Sequence, residues 1–483
     1  MKRLIFLILT VLFVFTFMSC AENNSKKENS GENITSNENI DSVGDETKDD
    51  IYVDELPEAD FGGAKFRIAA QDAFWLYVIY DAQEEISEPI NDAVYKRNRM
   101  IEDRFNVEIT QNLVEVANVL RKNVNTGIDD YELYLPIDRD ALTFGADGMI
   151  HKLSEIPNID ITKPYWSQSI NKSLTIGGDL YFAYGSFNLS VYDYTCVLLF
   201  NKQMIADLGL TSPYNLVNDG SWTFDKYAEM AKAAVKNVDG SGVMGDNDIY
   251  GLFSLDKQVL PCFWIAAGLQ SISKSNEDIP QFTLIGDEKF DTVIKKIFSI
   301  TYDNDSWYQG TFTEDKAIAF MNGQTLFSIT TFKKVSDFRG IENDFGIVPF
   351  PKYTAEQDNY YTRVEGGNPG VVPVTSGNLQ MIGTVLEALN AESAATVIPA
   401  YYDVTLKTKL ARDEESAKML DLIFENRIYD LGDTYWCNTL RDGIFLTMFK
   451  KNDRNLVSQL EKVEPKINKE IDKVVDAIND SGK

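Results

Sequence analysis

Asn237-Val238-Asp239-Gly240-Ser241-Gly242-Val243-Met244-Gly245-Asp246-Asn247-Asp248 is the segment whose residue types and spacing could hold a cation. Oxygen-bearing side chains fall at its positions 1, 3, 5 and 12 around a glycine at 6, the pattern of a calcium loop. Asn237, Asp239, Ser241, the Val243 carbonyl and Asp248 would be the ligands. Asn at the first position, Ser at the fifth and Asp at the last supply less charge than the usual set, so the expected site is weak. Its role would be structural, pinning the end of a helix that starts near Trp222; a polar Gly/Asp turn is the rival reading. Nothing else in the chain requires a cofactor. His151 is the sole histidine, which leaves no Ser-His-Asp arrangement and no histidine-based metal site. Beyond Cys20, only Cys196, Cys262 and Cys437 occur, too widely spaced for zinc and odd in number. They read as buried thiols with at most one bridge.

The elements that would position reactive groups alternate along the chain. Lys65–Ala70 reads as a strand and Glu88–Phe105 as a helix with Pro89 in its first turn. Val107–Thr110, a helix over Val116–Val124 and a strand over Tyr131–Ile137 follow. Strand, helix, strand, helix, strand implies parallel pairing with helices on the sheet faces. The pattern recurs with strands at Tyr194–Phe200, Tyr250–Ser254, Thr325–Thr330 and Phe345–Pro349. Helices are expected at Trp222–Val235, capped by the Ser221 or Thr223 hydroxyl, at Val259–Leu269 and at Asp291–Tyr302. From Leu379 onward the chain is mostly helical. The fold class is α/β, in two lobes with a helical C-terminal region.

The start of the chain sets a location. Lys2 and Arg3 precede an apolar run, Leu4–Phe17, and then Met18-Ser19-Cys20. That is a secretory signal over 1–19 with Cys20 as the lipidated residue, Phe17 standing where the lipobox usually has Leu. Residues 21–60 hold 13 acidic and 3 basic side chains and few large apolar ones. Such a segment cannot offset the entropy of ordering, so 20–59 is expected to be a disordered tether with a reach of about 30 Å. The chain of 483 residues carries a formal net charge of −28, which argues against binding a phosphate backbone. The expected location is the extracellular face of the cytoplasmic membrane, held by lipid, as a monomer.

Several segments resemble the extracellular solute-binding proteins of ABC importers, the class that includes maltose-binding protein. Asn91–Arg99 with Ile101–Val107 resembles their first helix and second strand. Leu198-Leu199-Phe200-Asn201-Lys202 resembles the strand that crosses between lobes, and Gly220-Ser221-Trp222-Thr223 the helix start of the second lobe. Ala319–Phe327, Phe345–Lys352 and Ile398–Tyr402 with Arg412-Asp413 resemble later blocks, so the likeness runs in order over about 60–440. It implies a periplasmic-binding-protein-like fold of type II with a ligand cleft between lobes. Lobe one would take 60–195 plus 348–405, lobe two 198–345, and the helical region 406–483 would pack mainly on lobe two.

A binding protein needs aromatic faces and fixed polar groups in a cleft rather than a nucleophile. The resemblance places Gln71 and Phe74 against ligand, beside Trp75, and gives Asp138, next to Arg139, a role in accepting sugar hydroxyls. Tyr194 replaces an acidic residue of the sugar-binding relatives, which implies a different ligand; Asp193 precedes it near the hinge. Trp264 and Trp307, with Tyr308 beside it, could offer stacking faces, although a core position suits Trp264 as well. Glu365 and Gly366, in Arg363-Val364-Glu365-Gly366-Gly367, combine a carboxylate with backbone that permits close approach. The function implied is capture of a small solute, a mono- or oligosaccharide, for the transmembrane subunits of an ABC permease, without enzymatic activity. A secreted glycoside hydrolase and a sensory binding protein for a membrane kinase are the alternatives.

Overall fold

The computed structural model describes residues 54–73, 77, 79–311, 313–335, 343–402 and 414–481. Cys20, residues 21–53 of the expected tether, Phe74 and Trp75 lie outside the described residues. Residues 54–59, expected to be disordered, are docked on the body: Arg104 donates to Asp54 at 2.7 and 2.8 Å, and Leu56 and Ala59 pack against the core. Lobe one begins with β1 (Ala64–Gln71), in which Phe66, Ile68, Ala69 and Ala70 are fully buried. Helix α1 (Pro89–Phe105) starts where the Glu88 carboxylate accepts the Asn91 N–H and ends at Asn106 in the left-handed conformation. β2 (Val107–Val114), α2 (Val116–Thr126), β3 (Leu133–Leu135) and α3 (Asp138–Ala146) complete the repeating unit. The three strands form a parallel sheet in the order β2-β1-β3, with Ala64 opposite Val107 and Ile68 opposite Leu133. Parallel pairing follows from helical crossovers, and it sends every strand's carboxyl end to the same edge.

The second lobe contains β4 (Cys196–Asn201), α4 (Phe224–Ala234), β5 (Tyr250–Phe253), α5 (Asp256–Ala266), α6 (Glu288–Phe298), β6 (Thr325–Thr331) and β7 (Phe345–Val348). Its sheet runs β5-β6-β4-β7, with β4 antiparallel to both neighbours and β5 parallel to β6. All residues of β4, β5, β6 and β7 are buried, so β4, β5 and β7 are nearly continuous apolar runs rather than alternations, while β6 carries buried Thr and Ser among its apolar residues. Of the two candidate caps for α4, Thr223 is used: its hydroxyl accepts the Lys226 N–H, while Ser221 turns to Asp219.

Two crossing segments join the lobes side by side. Thr195 bridges Val364, and the Glu365 N–H donates to the Tyr194 carbonyl at 3.1 Å. Here β8 (Thr362–Arg363) pairs in parallel with a late strand described below. The return to lobe one comes later than the expected residue 348. The Lys352 N–H donates to Trp222 O and the Gln357 amide to Ala266 O, so 349–361 remains on lobe two. Lobe one is rejoined where Val371 pairs with Tyr134, and α7 (Leu379–Ala395) then packs on α1.

The C-terminal region divides its packing between the lobes. α8 (Glu414–Glu425) lies on β7, and β9 (Arg427–Ile428) is the partner of β8. Phe445 packs on Trp264 of α5 with ring centroids 4.9 Å apart. The last helix, α9 (Leu456–Ser481), lies along α3 of lobe one and also touches Pro280–Gln281 of lobe two. The expectation that 406–483 rests mainly on lobe two therefore does not hold for its longest helix, which spans both lobes. Amphipathicity shows that a helix has a buried face, but not which distant surface covers it. Cys196, Cys262 and Cys437 are buried free thiols.

Candidate ligand-binding site

The carboxyl end of β3 opens directly into α3, so Asp138 and Arg139 stand at the sheet edge where ligands of open α/β folds collect. The Asp138 N–H donates to the Gly367 carbonyl at 3.0 Å, tying this corner to the second crossing segment. Its carboxylate accepts the Arg139 N–H at 2.8 Å and the Tyr429 hydroxyl at 2.6 Å. Burial raises the Asp138 carboxyl above the usual range despite those two donors. Gly367 is required by contact: a Cβ there would stand 2.6 Å from the Tyr184 hydroxyl oxygen.

Glu365 is held from behind. Arg363 is 1% exposed and spreads its guanidinium over two carboxylates. Nε and Nη2 donate to Asp433 at 2.6 and 3.0 Å, and Nη1 donates to Glu365 Oε2 at 2.9 Å. The Gln258 amide adds a donor to the same oxygen at 3.0 Å. Burial opposes ionisation of Glu365, but the Arg363 charge and the Gln258 amide outweigh it and hold the carboxyl below its ordinary range. Burial, with Asp193 and Glu365 nearby, pushes the Tyr194 phenol up, so it remains a neutral hydroxyl.

These groups line one cavity of about 240 Å³ together with Ile137, Lys257, Gly366 and Arg441. Lobe one supplies Asp138 and Arg139, lobe two supplies Lys257 from the first turn of α5, and the crossing segments supply Tyr194, Glu365 and Gly366. Arg441 is occupied by Asp442, with Nε and Nη2 each on one carboxylate oxygen at 2.8 and 2.9 Å. Among the described residues, neither the Arg139 guanidinium nor the Lys257 ammonium has an ion-pair partner. The cavity thus offers two carboxylates as acceptors and two cations as donors, a set suited to a hydroxyl-rich solute. Arg139 stands in the field of Asp138 and Asp140, and Lys257 in that of Glu365 and Asp442.

The tertiary structure brings together five of the expected residues: Asp138, Arg139, Tyr194, Glu365 and Gly366. Others lie elsewhere. Gln71 accepts the Val116 N–H at 3.1 Å, at the start of the helix that Glu115 caps, and does not line the cavity. Asp193 precedes Tyr194 in a helical turn, which points its side chain away, to the Tyr401 hydroxyl at 2.9 Å. Trp264 is fully buried and donates to Asp430 at 3.1 Å, a core position. Trp307 lines a separate cavity of about 440 Å³ with Asp256, Gln309 and Lys450. Tyr308 is buried and gives its hydroxyl to Asp246. Lys257 and Arg441 were missed. Lys257 could have been found from its place just after a strand end; Arg441 had no local signal, since it reaches the cleft only through the packing of the C-terminal region.

The 237–248 loop folds on itself. Gly242 N–H donates to Asn237 Oδ1 at 3.0 Å, and Asn237 Nδ2 points at the Val243 carbonyl (3.1 Å) and Asp248 Oδ2 (3.2 Å). An amide nitrogen, not an oxygen, therefore faces the point where Val243 and Asp248 converge. The set fits calcium only if that amide turns over, which would set its NH₂ against the Gly242 N–H. Among the described residues no group of three or more His, Cys, Asp or Glu could hold a metal ion.

No family model and no curated protein matches the sequence. Solved structures do match in three dimensions. A cyclo/maltodextrin-binding protein complexed with maltotetraose is 11% identical over 86% of this chain and 97% of its own, with a TM-score of 0.57. M. tuberculosis UspC is 14% identical over 82% and 98%, with a TM-score of 0.56. An ABC substrate-binding protein from Listeria monocytogenes in complex with cycloalternan is 14% identical over 85% and 99%, with a TM-score of 0.53. At such identity the likeness establishes the fold, a two-lobed α/β architecture of the type II periplasmic-binding-protein class.

Proposed function

We propose that this chain is an extracellular solute-binding protein that captures a carbohydrate for an ABC permease. The observation that carries the reading is the cavity shared by Asp138 and Arg139 of one lobe, Lys257 of the other and Tyr194 and Glu365 of the crossing segments. A solute held by all three contacts the closed arrangement more fully than an open one, and that difference in affinity drives closure. Carboxylates accept its hydroxyl protons, while Arg139, Lys257 and the Tyr194 hydroxyl donate to its oxygens. The solute leaves unmodified. Lipidation at Cys20 and the acidic tether would keep the body near the membrane, at the mouth of the permease.

A thermal-shift screen of mono- and oligosaccharides is the test. One sugar class should raise the melting temperature saturably, Asp138→Asn and Glu365→Gln should each abolish the rise, and the sugar should be recovered intact after hours of incubation. Release of smaller sugars, or a response to peptides with none to any sugar, would overturn the proposal. Calcium at 237–248 belongs to the same proposal as a weak structural ligand, since loading requires the Asn237 amide to turn.

A further inference from the structure

Beside the cleft runs a second cavity of about 440 Å³ whose walls include Asp140 and Thr143 of α3, Tyr435, Thr439, and Glu470 and Lys473 of α9. Arg139 lines both cavities, so they adjoin across one side chain whose guanidinium has no ion-pair partner among the described residues. We infer that the solute is a carbohydrate chain rather than a single sugar, and that its far end occupies this groove as a second subsite built by the C-terminal helix. The inference rests on the carbohydrate reading above and gives it a length.

Sequence spacing explains why the groove exists. Arg139, Asp140, Thr143, Ala146 and Asp147 share one face of α3, and Glu470, Lys473, Val474 and Ala477 share one face of α9. The buried stripe of α9 includes Ile467, Ile471, Val474 and Ile478. Beside that stripe the groove walls carry hydroxyl, carboxylate and ammonium groups, with alanines leaving room between them. The polar groups are fixed: the Thr439 hydroxyl donates to Glu470 at 2.9 Å, and the Thr143 hydroxyl to the Arg139 carbonyl at 2.9 Å. Tyr435 is half-buried and braced edge-on by Trp436 at 4.9 Å between centroids, which suits a ring meant to receive the C–H face of a pyranose. One wall belongs to lobe one, and the residues of the other continue into Phe445, which packs on α5 of lobe two. A chain lying here makes contacts that a monosaccharide in the cleft cannot make.

The test is calorimetric titration of the full chain with malto-, cello- and xylo-series sugars, each from one to six units. Wild-type affinity should rise about tenfold or more between the monosaccharide and a tri- or tetrasaccharide of the responding series. Tyr435→Ala and Thr143→Arg should remove that gain while leaving the monosaccharide affinity within about threefold of wild type. Thr143→Arg fills the groove without deleting a core ring, so it guards against a folding defect in the Tyr435 variant. Equal binding of short and long sugars by the wild type, or parallel losses for both in the variants, would overturn the inference and leave the carbohydrate reading intact. Failure of every sugar of every length would overturn the carbohydrate reading itself.

Discussion

Replacing Arg363 with Met tests whether the cleft carboxylate Glu365 is held in place from behind. Arg363 makes three charge-assisted bonds of 2.6–3.0 Å to Asp433 and Glu365, and Asp433 is fully buried. Methionine preserves much of the volume but leaves both carboxylates without that cation. Gln258 still donates to Glu365, and Arg441 stands 3.7 Å from Asp433. Removing one partner of a buried ion pair costs about 3–5 kcal/mol. For a body of roughly 430 residues, an unfolding entropy near 0.9 kcal/mol per degree turns that into a fall of about 3–6 °C in melting temperature. The two stranded carboxylates would bind protons more readily folded than unfolded, so the deficit should shrink as the pH falls from 7 to 5. Arg363→Met with Asp433→Leu should recover most of the loss, because an apolar pair of similar volume replaces an ionic one at little net cost. Differential scanning calorimetry of the three proteins at both pH values is the assay. A fall under about 1 °C in the single variant, or a double variant no better than the single, would refute the reasoning.

Two further outcomes follow from the same buried electrostatics. The carboxyls of Asp193 and Asp430 are pushed up to about 6, chiefly by burial, against an unfolded value near 3.9. A raised acid costs stability above its folded value; that cost, up to about 3 kcal/mol each, begins to fall as pH drops through about 6 and is gone only near the unfolded value, so about a quarter of it is relieved at pH 5.5. The melting temperature should therefore be higher at pH 5.5 than at 7.5, and Asp193→Asn should remove about half of the difference, Asp430 keeping the rest; a lower value at pH 5.5 would contradict it. In the 237–248 loop, Asn237→Asp puts an oxygen where Nδ2 now points, while its other oxygen can still accept the Gly242 N–H. Calcium affinity by calorimetry should rise about tenfold or more, and an unchanged affinity would show that the loop is a turn only.

Much of the fold was legible in the sequence because its signals are local. The strand signal over Lys65–Ala70 marked β1, and helical spacing with Pro89 marked α1. The run Arg363 to Gly367 could be singled out from its mixture of charge and glycine, and it does line or support the cavity. The same tryptophan ring serves as a stacking face or a core anchor, and for Trp264 the core reading holds, through full burial and its bond to Asp430.

By itself the sequence determined the two alternating α/β halves and the three buried thiols, while the family resemblance pointed to Asp138-Arg139. Only the tertiary structure decided that Lys257 and Arg441 reach that corner, that 349–361 remains on lobe two, and that α9 lies along α3. Each of those depends on which distant surfaces meet. Hydrophobic periodicity reports that a face must be covered, but the free energy of covering it is nearly indifferent to the identity of the partner, so the choice is made by the packing of the whole chain.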